Sequence, residues 1–165
     1  MSTEPSKIVR EQPPLDDLDL SMIEILRVDG RISNVALAAA LGVAPSTAHT
    51  RLRSLVDRGV ITEFMASIDQ RSLGLTLQAI IGVTLRPGAR QESITRFSHE
   101  VRDLPQVLQI FFLGGADDFV IHISVQDSSA IREFVLFLSA HPTVASTRTS
   151  IVFDYHRNGV AGSFQ

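Results

Sequence analysis

RISNVALAAALGVAPSTAHTRLRSLVDRGVI, residues 31–61, contains two short amphipathic stretches either side of a glycine, and its spacing decides the fold of the N-terminal third. Val35, Leu37, Ala40 and Leu41 are expected to pack inward from a first helix, Gly42 supplies the left-handed corner, and Val43 plugs the turn. Pro45 suits the first position of a second helix, where a missing N–H is no loss. Ala48, Leu52, Leu55 and Val56 then fall at i, i+4, i+7 and i+8, one apolar stripe on a helix ending near Gly59. Upstream, LDDLDLSMIEILRVDG (15–30) offers Leu18, Met22, Ile25 and Leu26 to the same core. Val60 and Ile61 then begin an extended segment. Three helices, the last two joined by a tight glycine turn, make a helix-turn-helix.

The second helix of that pair leaves Ser46, Thr47, His49, Thr50, Arg51 and Arg53 off its apolar stripe, with Arg58 just beyond its end. Hydroxyl, imidazole and guanidinium groups bond phosphates and base edges, so these seven are candidate DNA contacts. Ser46, Thr47, His49, Thr50 and Arg53 are assigned to the major groove, and Arg51 and Arg58 to phosphate or core. An ordinary solvated helix face has the same composition; the three-helix setting tips the reading towards DNA. Charge constrains it, because the chain carries −3 overall with a pI near 5.9. Between Ala44 and Arg58 stand three Arg against one Asp. Affinity for DNA rests largely on phosphate neutralisation, so so small an excess favours an oligomer presenting several such helices.

A chain of 165 residues with 44% hydrophobic and 20% charged residues is a globular mix that can bury a core. There are no cysteines, which excludes disulfides and thiolate zinc sites, and no metal or cofactor is expected. No apolar run approaches the roughly 18 residues that span a bilayer, and MSTEPSKIVREQPP lacks the apolar core of a signal peptide, so a cytoplasmic location is expected. The division expected is a flexible arm at 1–14, the helix-turn-helix at 15–60, a linker strand and hinge at 61–75, a second domain at 76–155 and a tail at 156–165.

In the second domain the period changes from helical to two. Leu75, Leu77, Ala79, Ile81, Val83 and Leu85 alternate on one face of a strand that Pro87 and Gly88 end. Ile94, Phe97, Val101 and Leu104 form the stripe of a helix stopped by Pro105; VLQIFFL is a second strand, GGADD a turn, and FVIHISV a third strand. Asp127 or Ser128 can cap a second helix with Ile131, Phe134, Val135 and Leu138 buried, and TVASTRTSIVF is the fourth strand. The order βαββαβ predicts a ferredoxin-like antiparallel sheet with both helices on one face. The other face carries Ile80, Gly82, Val120 and His122, and Leu136 and Phe137 lie off the buried stripe of the last helix. So apolar a face calls for a second copy against it, or for cover from the hinge or the helical domain.

A helix-turn-helix, a linker strand and a βαββαβ domain in this order resemble the Lrp/AsnC family of transcription regulators from Leu15 to about Tyr155. LDDLDLSMIEIL, DGRIS, LGVAPS, RLRSLVDRGVI, LGGADDFVIHISVQD and TRTSIVF each look like a family segment in its proper place. Two positions depart: Ala44 stands where a capping Ser is usual, and Ala116 stands directly after the second Gly, where an acidic residue is commoner. The resemblance implies an α+β protein with a winged-type helix-turn-helix domain. It implies a non-enzymatic regulator that binds operator DNA and a small-molecule effector, typically an amino acid. Homodimers packed through their sheets, and four dimers in a ring, are also implied. By their matching places, Leu113, Gly114, Gly115, Asp117 and Asp118 look like one wall of the effector pocket. Ser128, Arg148 and Ile151 look like contributors at an interface between subunits. Gly114 and Gly115 would let backbone N–H groups approach a carboxylate, and the two aspartates would meet an ammonium group. A bare solvated turn explains the same residues.

Two other functions compete. Some proteins that look like this family are decarboxylases of modified haem precursors that depend on His in the second domain, where this chain has His99, His122, His141 and His156. Only His122 falls in a strand, and no titratable partner is evident for it. A metabolite-binding module without DNA binding would suit the acidic pI and Ala44, against the intact polar run on the second helix.

Overall fold

The computed structural model describes residues 13–155, so the tail and most of the arm lie outside the described residues. Two compact units divide between Ala66 and Ser67, inside the segment expected to be a hinge. Among the described residues no helix is long and apolar enough to cross a membrane.

The first unit has three helices, α1 (Asp17–Val28), α2 (Asn34–Leu41) and α3 (Pro45–Asp57). Asp16 caps α1 by accepting from the Asp19 N–H at 2.9 Å, and Ser33 caps α2 through the Ala36 N–H. Gly42, at φ +67°, ends α2 in the left-handed region. Met22, Leu37, Ala38, Ala48 and Leu55 are the buried core. Val35 is 69% exposed and Ala40 is also outside, with Ala38 taking the inward place. Eight residues, nearly all apolar, carry no period that could fix which side of α2 faces in. Val56 likewise sits outside the core.

The expected linker strand is absent: residues 61–75 hold only a 3-10 turn at Arg71–Leu73. Asp69 accepts from the Arg71 and Ser72 N–H groups and from the Ser72 hydroxyl, which builds a polar turn at the end of the segment, while residues 61–68 before it have no strand to pair with among the described residues.

In the second unit, strands β1 (Leu77–Leu85), β2 (Val107–Phe112), β3 (Phe119–Val125) and β4 (Val144–Val152) alternate with helices α4 (Gln91–Arg102) and α5 (Ser128–Ala140) as βαββαβ. The sheet order is β2-β3-β1-β4, every pair antiparallel, which is the ferredoxin-like arrangement. Register puts Ile81 opposite both Ile121 and Thr149. Alternation sends Ala79, Ile81, Val83, Phe119, Ile121 and Ile123 to the face where Phe97, Val101, Phe134 and Leu138 close the core. Asp127 caps α5 by accepting from Ser129 and Ala130. On the opposite face lie Gln78, Ile80, Gly82, Val120, His122 and Ser124, flanked across β4 by Arg148 and Ser150.

Candidate DNA-facing helix and effector site

On α3, Ala48 and Leu55 are buried and Ser46, Thr47, His49, Thr50 and Arg53 are exposed. Ala44 occupies the N-cap position with no side-chain bond, leaving the first-turn N–H groups without that cap. The Asn34 amide of α2 donates to the Pro45 carbonyl at 2.9 Å, fixing the start of one helix against the other. Thr50 donates its hydroxyl to the Ser46 carbonyl at 2.9 Å, and Arg53 lies 3.8 Å from Asp57 in a wholly exposed i,i+4 pair.

The other two arginines turn towards α1. Arg51 Nη1 is 2.7 Å from Asp16 Oδ2 and 3.3 Å from Asp19 Oδ1. Arg58 Nη1 is 3.6 Å from Asp19 Oδ2, and its Nη2 donates to the Pro13 carbonyl at 2.5 Å. Asp19 is only 2% exposed. It was invisible as a functional residue in the sequence, where an acidic first helical turn looks like a solvated face. The Asp16 carboxyl is held below the usual carboxylate range, first by the Asp19 N–H it caps and then by the Arg51 charge.

The turn between β2 and β3 is built by Asp118. Its N–H donates to the Val83 carbonyl, its carbonyl accepts from Leu113, and its carboxylate accepts from the Leu85 N–H at 2.7 Å. One carboxylate oxygen is therefore committed to the end of β1. Asp117 crosses the outer face of the sheet to Arg148 on β4, Nη2 to Oδ2 2.5 Å. Gly82 makes room for that crossing: a Cβ there would stand 2.7 Å from Asp117 Oδ2 and 2.8 Å from its Cγ. The sequence placed Gly82 on the outer face without showing its part under the ion pair. At Gly114 and Gly115 an added Cβ would meet nothing within 4 Å, and neither has a positive φ, so nothing inside the described chain requires glycine there.

Of the eight effector candidates, Leu113, Gly114, Gly115, Asp117 and Asp118 share the turn, and Arg148 joins them through Asp117. Ile151 pairs with Ala79 and so faces the helix side, opposite to Arg148. Ser128 opens α5, beyond the far end of β3 from the turn, about 20 Å along the strand. One chain does not bring these two to the others.

His122 is buried, its Nε2 2.9 Å from Gln78 Oε1 and its ring centroid 5.3 Å from that of Tyr155. Burial lowers its pKa below the usual histidine value. Its partners are an amide and a phenol ring. His141 is 3.4 Å from Glu100, His99 meets Arg102, and His156 lies outside the described residues.

Residues 78–159 match the family model for the Lrp/AsnC ligand binding domain, and residues 15–62 match the model for a winged helix-turn-helix DNA-binding domain. The chain is 44% identical over 144 residues to the HTH-type transcriptional regulator AldR of Mycobacterium tuberculosis, covering 87% of this chain and 80% of that protein. The crystal structure of MtbAldR superposes with a TM-score of 0.72 at 40% identity, covering 90% of this chain and all of that one. A transcriptional regulator of Neisseria meningitidis, solved as a complex with L-Met, superposes at 0.82 with 30% identity, covering 90% of this chain and 97% of the other. These relatives are regulators and not enzymes.

Proposed function

Since the chain belongs to the Lrp/AsnC family and is a transcriptional regulator with a winged helix-turn-helix DNA-binding domain and a ligand-binding domain, we propose how each domain does its work. Helix α3 enters the major groove of operator DNA in the cytoplasm, with Ser46, Thr47, His49, Thr50 and Arg53 towards the bases. The observation that carries this is the division of α3 into a buried stripe, two arginines tied to α1, and an outer face of hydroxyl, imidazole and guanidinium groups. An arginine reading guanine contributes about 1–3 kcal/mol of discrimination. A mobility-shift titration on the duplex upstream of the protein's own gene tests it: Arg53→Ala weakens operator binding, and unaltered affinity and salt slope would overturn the assignment.

The effector is an amino acid held at the turn between β2 and β3. Arg148 and Asp117 carry the charges complementary to a carboxylate and an ammonium, and the unfilled space at Gly114 and Gly115 lets a ligand approach the backbone. The meningococcal relative's complex with L-Met supports this ligand class. Asp118 holds the turn, and Ser128 and Ile151 reach the pocket from another subunit. Dimers form through the outer sheet face around Ile80, Val120 and His122, and the exposed Leu136 and Phe137 join four dimers into an octamer. An effector shared between subunits shifts assembly, and assembly reciprocally alters its affinity. Calorimetric titration with the twenty amino acids, repeated on Asp117→Asn and Arg148→Ala, decides the site: unchanged binding by both variants places the pocket elsewhere. Sedimentation showing a monomer at micromolar concentration would overturn the assembly.

A further inference from the structure

Arg51 and Arg58 are seven residues apart, two helical turns, and so lie on one ridge of α3. Thr47, four residues before Arg51 on that ridge, is exposed. The ridge runs from the outer surface into the contact with α1, where the two carboxylates of Asp16 and Asp19 receive both guanidinium groups. Carboxylate oxygens at 2.7 and 3.3 Å meet Arg51 as DNA phosphate oxygens would, through charge-assisted N–H bonds. Arg58 is deep in the contact, with its side chain 17% exposed, whereas Arg51 is 40% exposed and sits at the rim. Each cation that neutralises a phosphate releases counterions and adds affinity for any sequence; one already neutralised within the protein adds none.

We propose that Asp16 and Asp19 are an internal phosphate mimic that withholds Arg51 from the DNA backbone, lowering binding to indiscriminate sequence and leaving selection to the outward residues of α3. Asp16 is thus a specificity-determining residue although it touches no base. It works from α1 and is itself the cap of that helix, so its position is fixed by α1 as well as by the contact with α3. This rests on α3 being the helix that faces DNA.

The test uses the full-length protein and a duplex of mixed sequence about 30 base pairs long, with the association constant followed from about 50 to about 200 mM salt. Asp16→Asn removes the charge but keeps an oxygen that caps α1, and Asp16→Ser does the same with a hydroxyl. Asp17→Asn makes an equal charge change one residue away, in the same exposed turn. Both Asp16 variants leave Arg51 only its 3.3 Å contact with Asp19, so they should steepen the log–log salt slope, by up to about 0.9 per DNA-bound subunit relative to Asp17→Asn, and tighten binding to this duplex at the lowest salt. Adding Arg51→Ala to Asp16→Asn should remove the increment. Equal slopes for the Asp16 variants and Asp17→Asn would overturn the proposal. Wild-type protein that binds no duplex at any of these salts would overturn the reading of α3 as the DNA-facing helix, and this proposal with it.

Discussion

The two units are held together by different means. The second buries fourteen apolar residues in one cluster, and its ion pairs each have at least one well-exposed partner. The first, among its described residues, buries five, two of them alanines, and places an almost wholly enclosed aspartate between two arginines. A helical unit of this size cannot bury enough apolar surface to be indifferent to its polar contacts. Charge therefore fixes the mutual placement of α1 and α3 where side-chain volume is short. A buried ion pair is costly to break from one side even where an apolar replacement of both sides would serve as well.

Single truncations separate the two regimes. Asp19→Ala removes the buried carboxylate shared by Arg58 and Arg51, leaves Arg51 with Asp16 alone, and should destabilise the first unit, while Phe97→Ala should cost the second about 3–5 kcal/mol through its cavity. The chain has one tyrosine and no tryptophan, and Tyr155 packs on His122, so tyrosine fluorescence follows the second unit while far-ultraviolet dichroism follows both. Denaturant titration should show Asp19→Ala shifting the dichroism but not the fluorescence midpoint. A shift in both would break the contrast between the units.

A smaller effect is expected at Gly82. An added methyl group must displace the Asp117 carboxylate, so Gly82→Ala should cost about 1–3 kcal/mol of overpacking and weaken amino-acid binding measured calorimetrically. Helix α3 can be improved instead. Ala44→Ser supplies the absent cap and should add about 1 kcal/mol to the first unit alone, read as a higher dichroism midpoint at constant fluorescence midpoint.

The smallest effect concerns pH. Burial depresses the folded-state pKa of His122 below the usual value of about 6.5, so the unfolded chain takes up the proton first. Its contribution is complete above about pH 6.5 and is lost as pH falls from there to the depressed folded value. Melting of the second unit should therefore fall less over this window in His122→Asn than in the wild type.

Legibility in the sequence followed the length of the pattern. Five alternating residues of β1, flanked by Pro87 and Gly88, fixed its inward face unambiguously, and the stripe of α5 was equally clear. Over the two turns of α2 the apolar residues could face either way, which is why Val35 and Ala38 exchange places. The linker strand failed because residues 61–68 have no pairing partner among the described residues, which their hydropathy does not register. At the candidate sites, residue types were readable but partners were not. Arg51 and Asp19 are 32 residues apart, and Asp117 and Arg148 are 31 apart. The opposite facing of Arg148 and Ile151, three positions apart on β4, follows from strand alternation and could have been inferred from sequence once β4 was placed.

Strand β2 lies at an edge of the sheet and reads VLQIFF, with no charge and no proline, and Phe111 and Phe112 are exposed. Natural edge strands are commonly blunted by lysine, proline or a covering element, because an open row of N–H and C=O groups recruits any extended chain. Here the only local irregularity is a register shift between Val107 and Gln109, at the start of the strand, which leaves the phenylalanines in regular pairing. The β2 edge is therefore the place in the second unit most open to pairing with another extended chain, and a charge set among its phenylalanines would close that route without touching the buried face.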